Sequence, residues 1–292
     1  GGAARGMRII RRADIALHGA CAAGVALLAA LFAAPFGRPV GGLLAFSAFL
    51  AYAAAALRRP FRRARLAQAE FPAAWREILR REVRYYRGLD APGRARFERD
   101  LRWFLDERTI EGVDGVRVTD ELRLLVAAGA AVLLHGRPDW ELPPGHAILL
   151  YPRAFDEEFR CAPRGPLDGQ AHGQGPVILA RGAVREGWRD PAGAGNVVLH
   201  EFAHLLDMKG GVSDGVPREM PRAEVCGWLA LAEAEMDKAA RGRSLLRPYA
   251  AENPAEFFAV AVECFFGKPR LLRARHPALY AALARFFNQE PR

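Results

Sequence analysis

Three side chains in the stretch VVLHEFAHLLD, Val197 to Asp207, could do chemistry together: His200, Glu201 and His204. An α-helix turns once in about 3.6 residues, so positions i and i+4 share a face one turn apart. His200 and His204 therefore point the same way, and two neutral imidazoles so held can grip a Zn²⁺ ion. A catalytic zinc usually takes three protein ligands and leaves one position to water. Glu201 projects beside that open position. Its carboxylate can take a proton from zinc-bound water as the water attacks a carbonyl, then hand one to the leaving amine. This H-E-x-x-H spacing has a competing reading, a buried and hydrogen-bonded histidine pair. The apolar neighbours Val197, Val198, Leu199, Phe202, Ala203, Leu205 and Leu206 weigh against it, because polar groups packed among them without partners are costly. Asp207, three residues after His204, could orient a ligand imidazole; capping or ion pairing is the alternative.

A third ligand must come from elsewhere, and a second helix offers carboxylates. In YAAENPAEFFAVAVECFFGKP, Tyr249 to Pro269, Asn253 reads as an N-cap, Pro254 as the first helical residue, and Gly267 with Pro269 as the stop. The helix between is apolar almost all round, interrupted by Glu256 and Glu263. Seven residues make two turns, so both carboxylates lie on one face and call for a counter-charge.

HEFAH followed by LLD, and later YAAENPAEFFAV, resembles the Mlc titration factor A family of zinc peptidases. The likeness runs from FPAAWREIL and YYRGL near Phe71 to the C-terminus. It implies an α+β fold similar to the zincin domain of anthrax lethal factor, with one zinc per chain and aminopeptidase-like hydrolysis of peptides or proteins. It places the third zinc ligand on Glu256 and leaves Glu263 to support a ligand. It gives Tyr249 the hydroxyl that stabilises the oxyanion of the tetrahedral intermediate. It also implies a function of another class, in which members bind and inactivate Mlc, a transcriptional repressor of glucose-phosphotransferase genes. A third reading is a zinc-stabilised domain without activity, against which Glu201 and Tyr249 both count.

These residues need a scaffold, and 292 residues suffice for one sizeable domain and an appendage. The formal charge of +9 invites a nucleic-acid reading, but its location argues otherwise. Residues 1–65 hold ten Arg and one Asp, whereas the remainder holds 32 basic and 32 acidic side chains. The basic excess flanks two apolar runs, Ile15 to Phe36 and Val40 to Leu57, joined by Gly37-Arg38-Pro39. The first is long enough to cross about 30 Å of hydrocarbon as a helix, and the second is just long enough. Arg8, Arg11 and Arg12 precede them, and Arg58, Arg59, Arg62, Arg63 and Arg65 follow. By the positive-inside rule both flanks stay cytoplasmic, so residues 1–65 read as a transmembrane hairpin in the inner membrane. Residues 66–292 then form a peptidase domain in the cytoplasm, with no direct nucleic-acid partner. A cleaved signal peptide and a soluble core hairpin are the rival readings. The hairpin is a departure from the shorter soluble members of the family and bears on the repressor role. Cys21, Cys161, Cys226 and Cys264 are scattered, without a disulfide framework or ligand spacing.

Along the second part, Phe71 to Arg87 and Pro92 to Leu105 read as amphipathic helices. Thr119 or Asp120 caps another, Glu121 to His135. Short strands are expected at Ala147 to Tyr151 and at Pro176 to Ala180, with Val177 to Ala180 as the sheet edge that would bind an extended peptide. Arg153 to Gln174 reads as a loop over the cleft, Met208 to Arg222 as a polar loop, and Ala223 to Ala240 as a helix carrying Trp228. His135 reads as a helix-end residue, and His146, His172 and His276 as surface residues. Ser244 lacks a glycine elbow, so serine chemistry has no support.

Overall fold

The computed structural model describes residues 12–33, 38–154, 168–171, 175–190, 195–208 and 213–291. The chain divides into two units, Gly1–Glu70 and Phe71–Arg292.

In the first unit, α1 (Arg12–Ala33) packs against α2 (Arg38–Gln68), and His18 Nδ1 lies 2.9 Å from the Tyr52 hydroxyl. The segment Pro39–Gln68 is long and apolar enough to cross a membrane, whereas Leu17–Phe32 is a shorter apolar stretch. Leu28, Phe32, Leu43 and Phe46 are all exposed, at 60–80%. Water alone is a poor solvent for so much apolar surface. Of the expected joint Gly37-Arg38-Pro39, Arg38 and Pro39 belong to α2, and Gly37 lies with residues 34–36 outside the described residues.

Among its described residues the second unit is mostly helical with a small sheet. Its helices are α3 (Ala73–Glu82), α4 (Arg84–Arg87), α5 (Ala91–Glu107), α6 (Asp120–Leu134), α7 (Arg181–Arg189), α8 (Val197–Asp207), α9 (Arg222–Ala240), α10 (Pro254–Gly267), α11 (Pro269–Arg275) and α12 (Pro277–Phe287). The strands are β1 (Ile110–Gly112), β2 (Ile148–Tyr151), β3 (Gly169–Ala171) and β4 (Val177–Ala180), in the order β1-β2-β4-β3. The first three positions in that order run parallel, and β3 pairs antiparallel to β4. β4, expected at the edge, is therefore internal, and β3 borders it instead. Its four residues VILA are all buried, as a strand with neighbours on both sides requires. The expected loop Arg153 to Gln174 thus contains a strand; its residues 155–167 and 172–174, His172 among them, lie outside the described residues.

Local chemistry sets the helix ends. Asp90 caps α5 by accepting from Gly93 N–H at 2.8 Å, and Thr119 caps α6. α6 is the central helix, buried along Leu122 to Leu133 apart from Arg123. It packs on α8, where Gly129 lets the two backbones approach; a Cβ there would lie 2.5 Å from Val198 Cγ1. α8 in turn packs on α10, α7 and β3. Two of the expected surface histidines are buried. His146 Nδ1 meets the Gly175 carbonyl at 2.7 Å, and His276 joins Glu235 at 2.5 Å while accepting from Leu245 N–H at 3.1 Å. Each finds its partner far along the chain, which its sequence neighbours do not reveal.

Candidate metal centre

Asn196 starts α8: its side chain accepts from Val198 N–H at 3.1 Å and from Leu199 N–H at 3.2 Å. Asn253 starts α10 in the same way, accepting from Glu256 N–H at 3.0 Å, with Pro254 as the first helical residue. The two caps fix the start of each helix, and the helices pack together so that His200, His204 and Glu256 converge.

One ligand atom from each lies within 4.8 Å of the other two. His200 Nε2 and His204 Nε2 are 3.2 Å apart; Glu256 Oε2 is 3.0 Å from His200 Nε2 and Oε1 is 3.4 Å from His204 Nε2. Bonds of about 2.0–2.1 Å in a tetrahedral zinc site give ligand–ligand edges of about 3.3–3.4 Å. The His200–His204 edge fits that ion, and each histidine faces its own oxygen of the Glu256 carboxylate, so the donor set can close on one ion. Both histidines are buried and Glu256 is half-buried.

Behind His200 stands Glu263. Its Oε1 lies 2.7 Å from His200 Nδ1, so that nitrogen faces a carboxylate acceptor while Nε2 faces His204 and Glu256. The Glu263 carboxylate also accepts from Asn196 N–H at 2.7 Å and from Arg247 Nη2 at 2.6 Å. Gly195, with φ of +109°, precedes the cap because any Cβ there would overlap Glu263.

Glu201 is fully inside, on the face toward β3. A Cβ on Gly169 would lie 2.6 Å from Glu201 Oε1, so a glycine in this strand makes space for the carboxylate. Tyr249 lies on a 3-10 turn, Pro248–Ala251, with its ring centroid 6.1 Å from that of His200. Asp207 does not serve His204. It accepts from Ser213 Oγ and, at 2.9 Å, from Gly215 N–H, so it anchors the segment that follows α8. Trp228 Nε1 donates to the Gly215 carbonyl at 2.7 Å and secures the same segment.

The electrostatics of the cluster favour added positive charge. Burial works against an imidazolium at His200, but Glu256 and Glu263 outweigh it and hold its pKa at about 10. Burial likewise works against an ionised Glu256, yet its contacts with both histidines hold it far below the carboxylate range. Burial raises Glu201. Burial, followed by the charges of Glu256 and Glu252, raises the Tyr249 phenol.

Sequence spacing alone brings out His200, Glu201 and His204, and the second helix brings out Glu256 and Glu263. Arg247 and Gly169 carry no such signal, because their partners lie on other elements. Asn196 could have been found as a helix cap, since it stands directly before the apolar run of α8.

A family model described as glucose-regulated metallo-peptidase M90 matches residues 58–288. An uncharacterized protein of Synechocystis sp. is 32% identical over 248 residues, which are 79% of this chain and 89% of that relative. A protein named Mlc titration factor A from Edwardsiella ictaluri is 35% identical over 65% of this chain and 78% of its own. Another of that name, from Serratia proteamaculans, is 31% identical over 77% of this chain and 90% of its own.

Proposed function

The chain belongs to the glucose-regulated metallo-peptidase M90 family, and on that premise we propose that it is a membrane-anchored zinc peptidase of zincin-like fold. The observation that carries the reading is the convergence of His200, His204 and Glu256, which bring one ligand atom each to within 4.8 Å of one another, with the two imidazole nitrogens 3.2 Å apart. Zinc bound there supplies a Lewis acid that polarises a peptide carbonyl and acidifies water. The residues around it do the rest. Glu201, buried beside the ligands with a raised pKa, takes the proton of the attacking water and returns it to the leaving amine. Tyr249 donates a hydrogen bond to the oxyanion; its raised pKa keeps the hydroxyl protonated. Glu263 holds His200 in the tautomer that ligates.

The substrate class is an extended peptide, with aminopeptidase-like cleavage as the finer reading. Ala180 N–H donates to the Asp168 carbonyl at 2.8 Å, and Gly169 pairs with Leu179. In an antiparallel ladder that pattern turns the backbone groups of Gly169 and Ala171 away from β4, where a substrate strand could pair with them.

We place residues 1–65 in the inner membrane as a hairpin and residues 66–292 in the cytoplasm. The apolar surface of α1 and α2 and the arginines on both flanks support this.

A second reading is favoured by one observation, the name Mlc titration factor A carried by two relatives. On that reading the chain is a binding protein that sequesters an Mlc-like repressor, and the membrane is where it does so. Glu201→Gln separates the two. On the peptidase reading the variant binds zinc like the wild type but loses hydrolysis by at least about 10²-fold, the scale of lost acid–base catalysis. Undiminished hydrolysis in the variant would falsify the role of Glu201, and a wild type that retains the repressor without cleaving peptides favours the second reading.

A further inference from the structure

We propose that Arg247 is a positioning residue that ties Tyr249 to the carboxylate behind His200; this rests on the zinc-peptidase reading. Arg247 stands immediately before the 3-10 turn and two residues before the tyrosine. Its Nη2 donates to Glu263 Oε1 at 2.6 Å, and His200 Nδ1 meets the same oxygen at 2.7 Å. Nη2 and Nδ1 are themselves 3.3 Å apart. Both carry protons, so the carboxylate oxygen is their common acceptor. The other oxygen of Glu263 is taken by Asn196 N–H, so the carboxylate cannot swing away from this pair.

The same guanidinium also touches the tyrosine. Its central carbon lies 5.3 Å from the Tyr249 ring centroid, on the face where a cation is attracted to the ring. One planar group therefore contacts both the support of a metal ligand and the ring whose hydroxyl serves the transition state. Arginine suits this task because its fork donates in the plane while its flat face stacks; a lysine ammonium can replace the charge but not the face. Tyr249 itself is 41% exposed, so little of its placement comes from burial, and the anchor two residues upstream matters correspondingly more. The Arg247 side chain is 42% exposed, so replacing it leaves the core filled.

The test uses the full chain in detergent, as wild type, Arg247→Met, Arg247→Lys, Tyr249→Phe, and the double variant Arg247→Met with Tyr249→Phe. Zinc affinity is read by competition with a chromophoric chelator, and kcat and KM on a peptide at saturating zinc. Arg247→Met is expected to weaken zinc binding about 10-fold, the scale of a lost partner behind a ligand, while Tyr249→Phe leaves zinc affinity unchanged. Arg247→Lys should recover zinc affinity but not kcat. The double variant should be no slower than Tyr249→Phe alone, because the arginine acts on turnover through that tyrosine.

Wild-type zinc affinity and kcat in Arg247→Met, or losses in kcat that multiply in the double variant, overturn the proposal. If melting shows Arg247→Met unfolded, the split between zinc affinity and kcat in Arg247→Lys decides alone. A wild type that binds no zinc overturns the peptidase reading and this inference together. A wild type that binds zinc and hydrolyses peptide while Arg247 proves indifferent overturns only the inference.

Discussion

Gly169 is the residue on which the orientation of Glu201 depends most directly. A methyl group there would stand 2.6 Å from Glu201 Oε1 and 2.8 Å from its Cγ, so the carboxylate would have to move. Misplacing a reacting group by about 1 Å can cost about 10²-fold in rate. Gly169→Ala should therefore lower kcat on that scale while zinc content stays at the wild-type level; equal loss of zinc would mean that the whole helix had shifted. Glu263→Gln acts on the other side of the site, where it removes the charge that His200 and Arg247 share. Zinc affinity should fall about 10- to 100-fold in a chelator competition. Five residues of this cluster are legible in the sequence because a single helix period aligns them on each of two segments. Gly169 and Arg247 are not, since a glycine in a short strand and an arginine before a turn acquire meaning only when another element packs against them. Asp207 shows the limit of spacing: it sits one turn from His204, yet its carboxylate is engaged by the segment after the helix.

At the scale of elements, the end of α6 carries a titration that can be measured. His135 is the C-cap of that helix, and Arg96 Nη2 lies 2.8 Å from its Nε2. Burial first, and then the Arg96 charge, lower its pKa from 6.5 to about 4. The folded state thus binds fewer protons than the unfolded chain between those values. Its stability is complete above about pH 6.5 and declines as pH falls toward 4, by about 3 kcal/mol in all if the shift is fully expressed. Denaturant unfolding of His135→Gln across this range should lose that part of the slope; an unchanged pH dependence would assign it to other groups. The long helices were readable from their apolar period and caps, as Asn253 with Pro254 shows at α10. β1 and β3 were not, because three residues are too short for an alternation to show. Because β3 leaves no such trace, the sequence makes the neighbouring β4 look like an edge.

For the whole molecule, the uneven charge of the chain and its apolar runs belong together. Ten arginines and one aspartate in residues 1–65 leave the larger part electrically balanced, in keeping with the membrane-anchored peptidase proposed above rather than with a nucleic-acid binder. Full-length protein should stay with membranes through an alkaline carbonate wash and leave only with detergent; release by carbonate would show that the exposed leucines and phenylalanines of α1 and α2 are covered by protein instead. The family and the mixed α and β class were visible from two phrases of sequence, whereas the membrane placement rests on length and composition. Zinc chemistry at His200, His204 and Glu256 is the claim on which the rest depends. The most direct test is metal content by mass spectrometry on the purified full chain and on His204→Ala, with peptide hydrolysis assayed on the same samples. The account predicts one equivalent of zinc and chelator-sensitive hydrolysis in the wild type, both lost in the variant. Hydrolysis that persists in a zinc-free chain, or full zinc retention by His204→Ala, would contradict it.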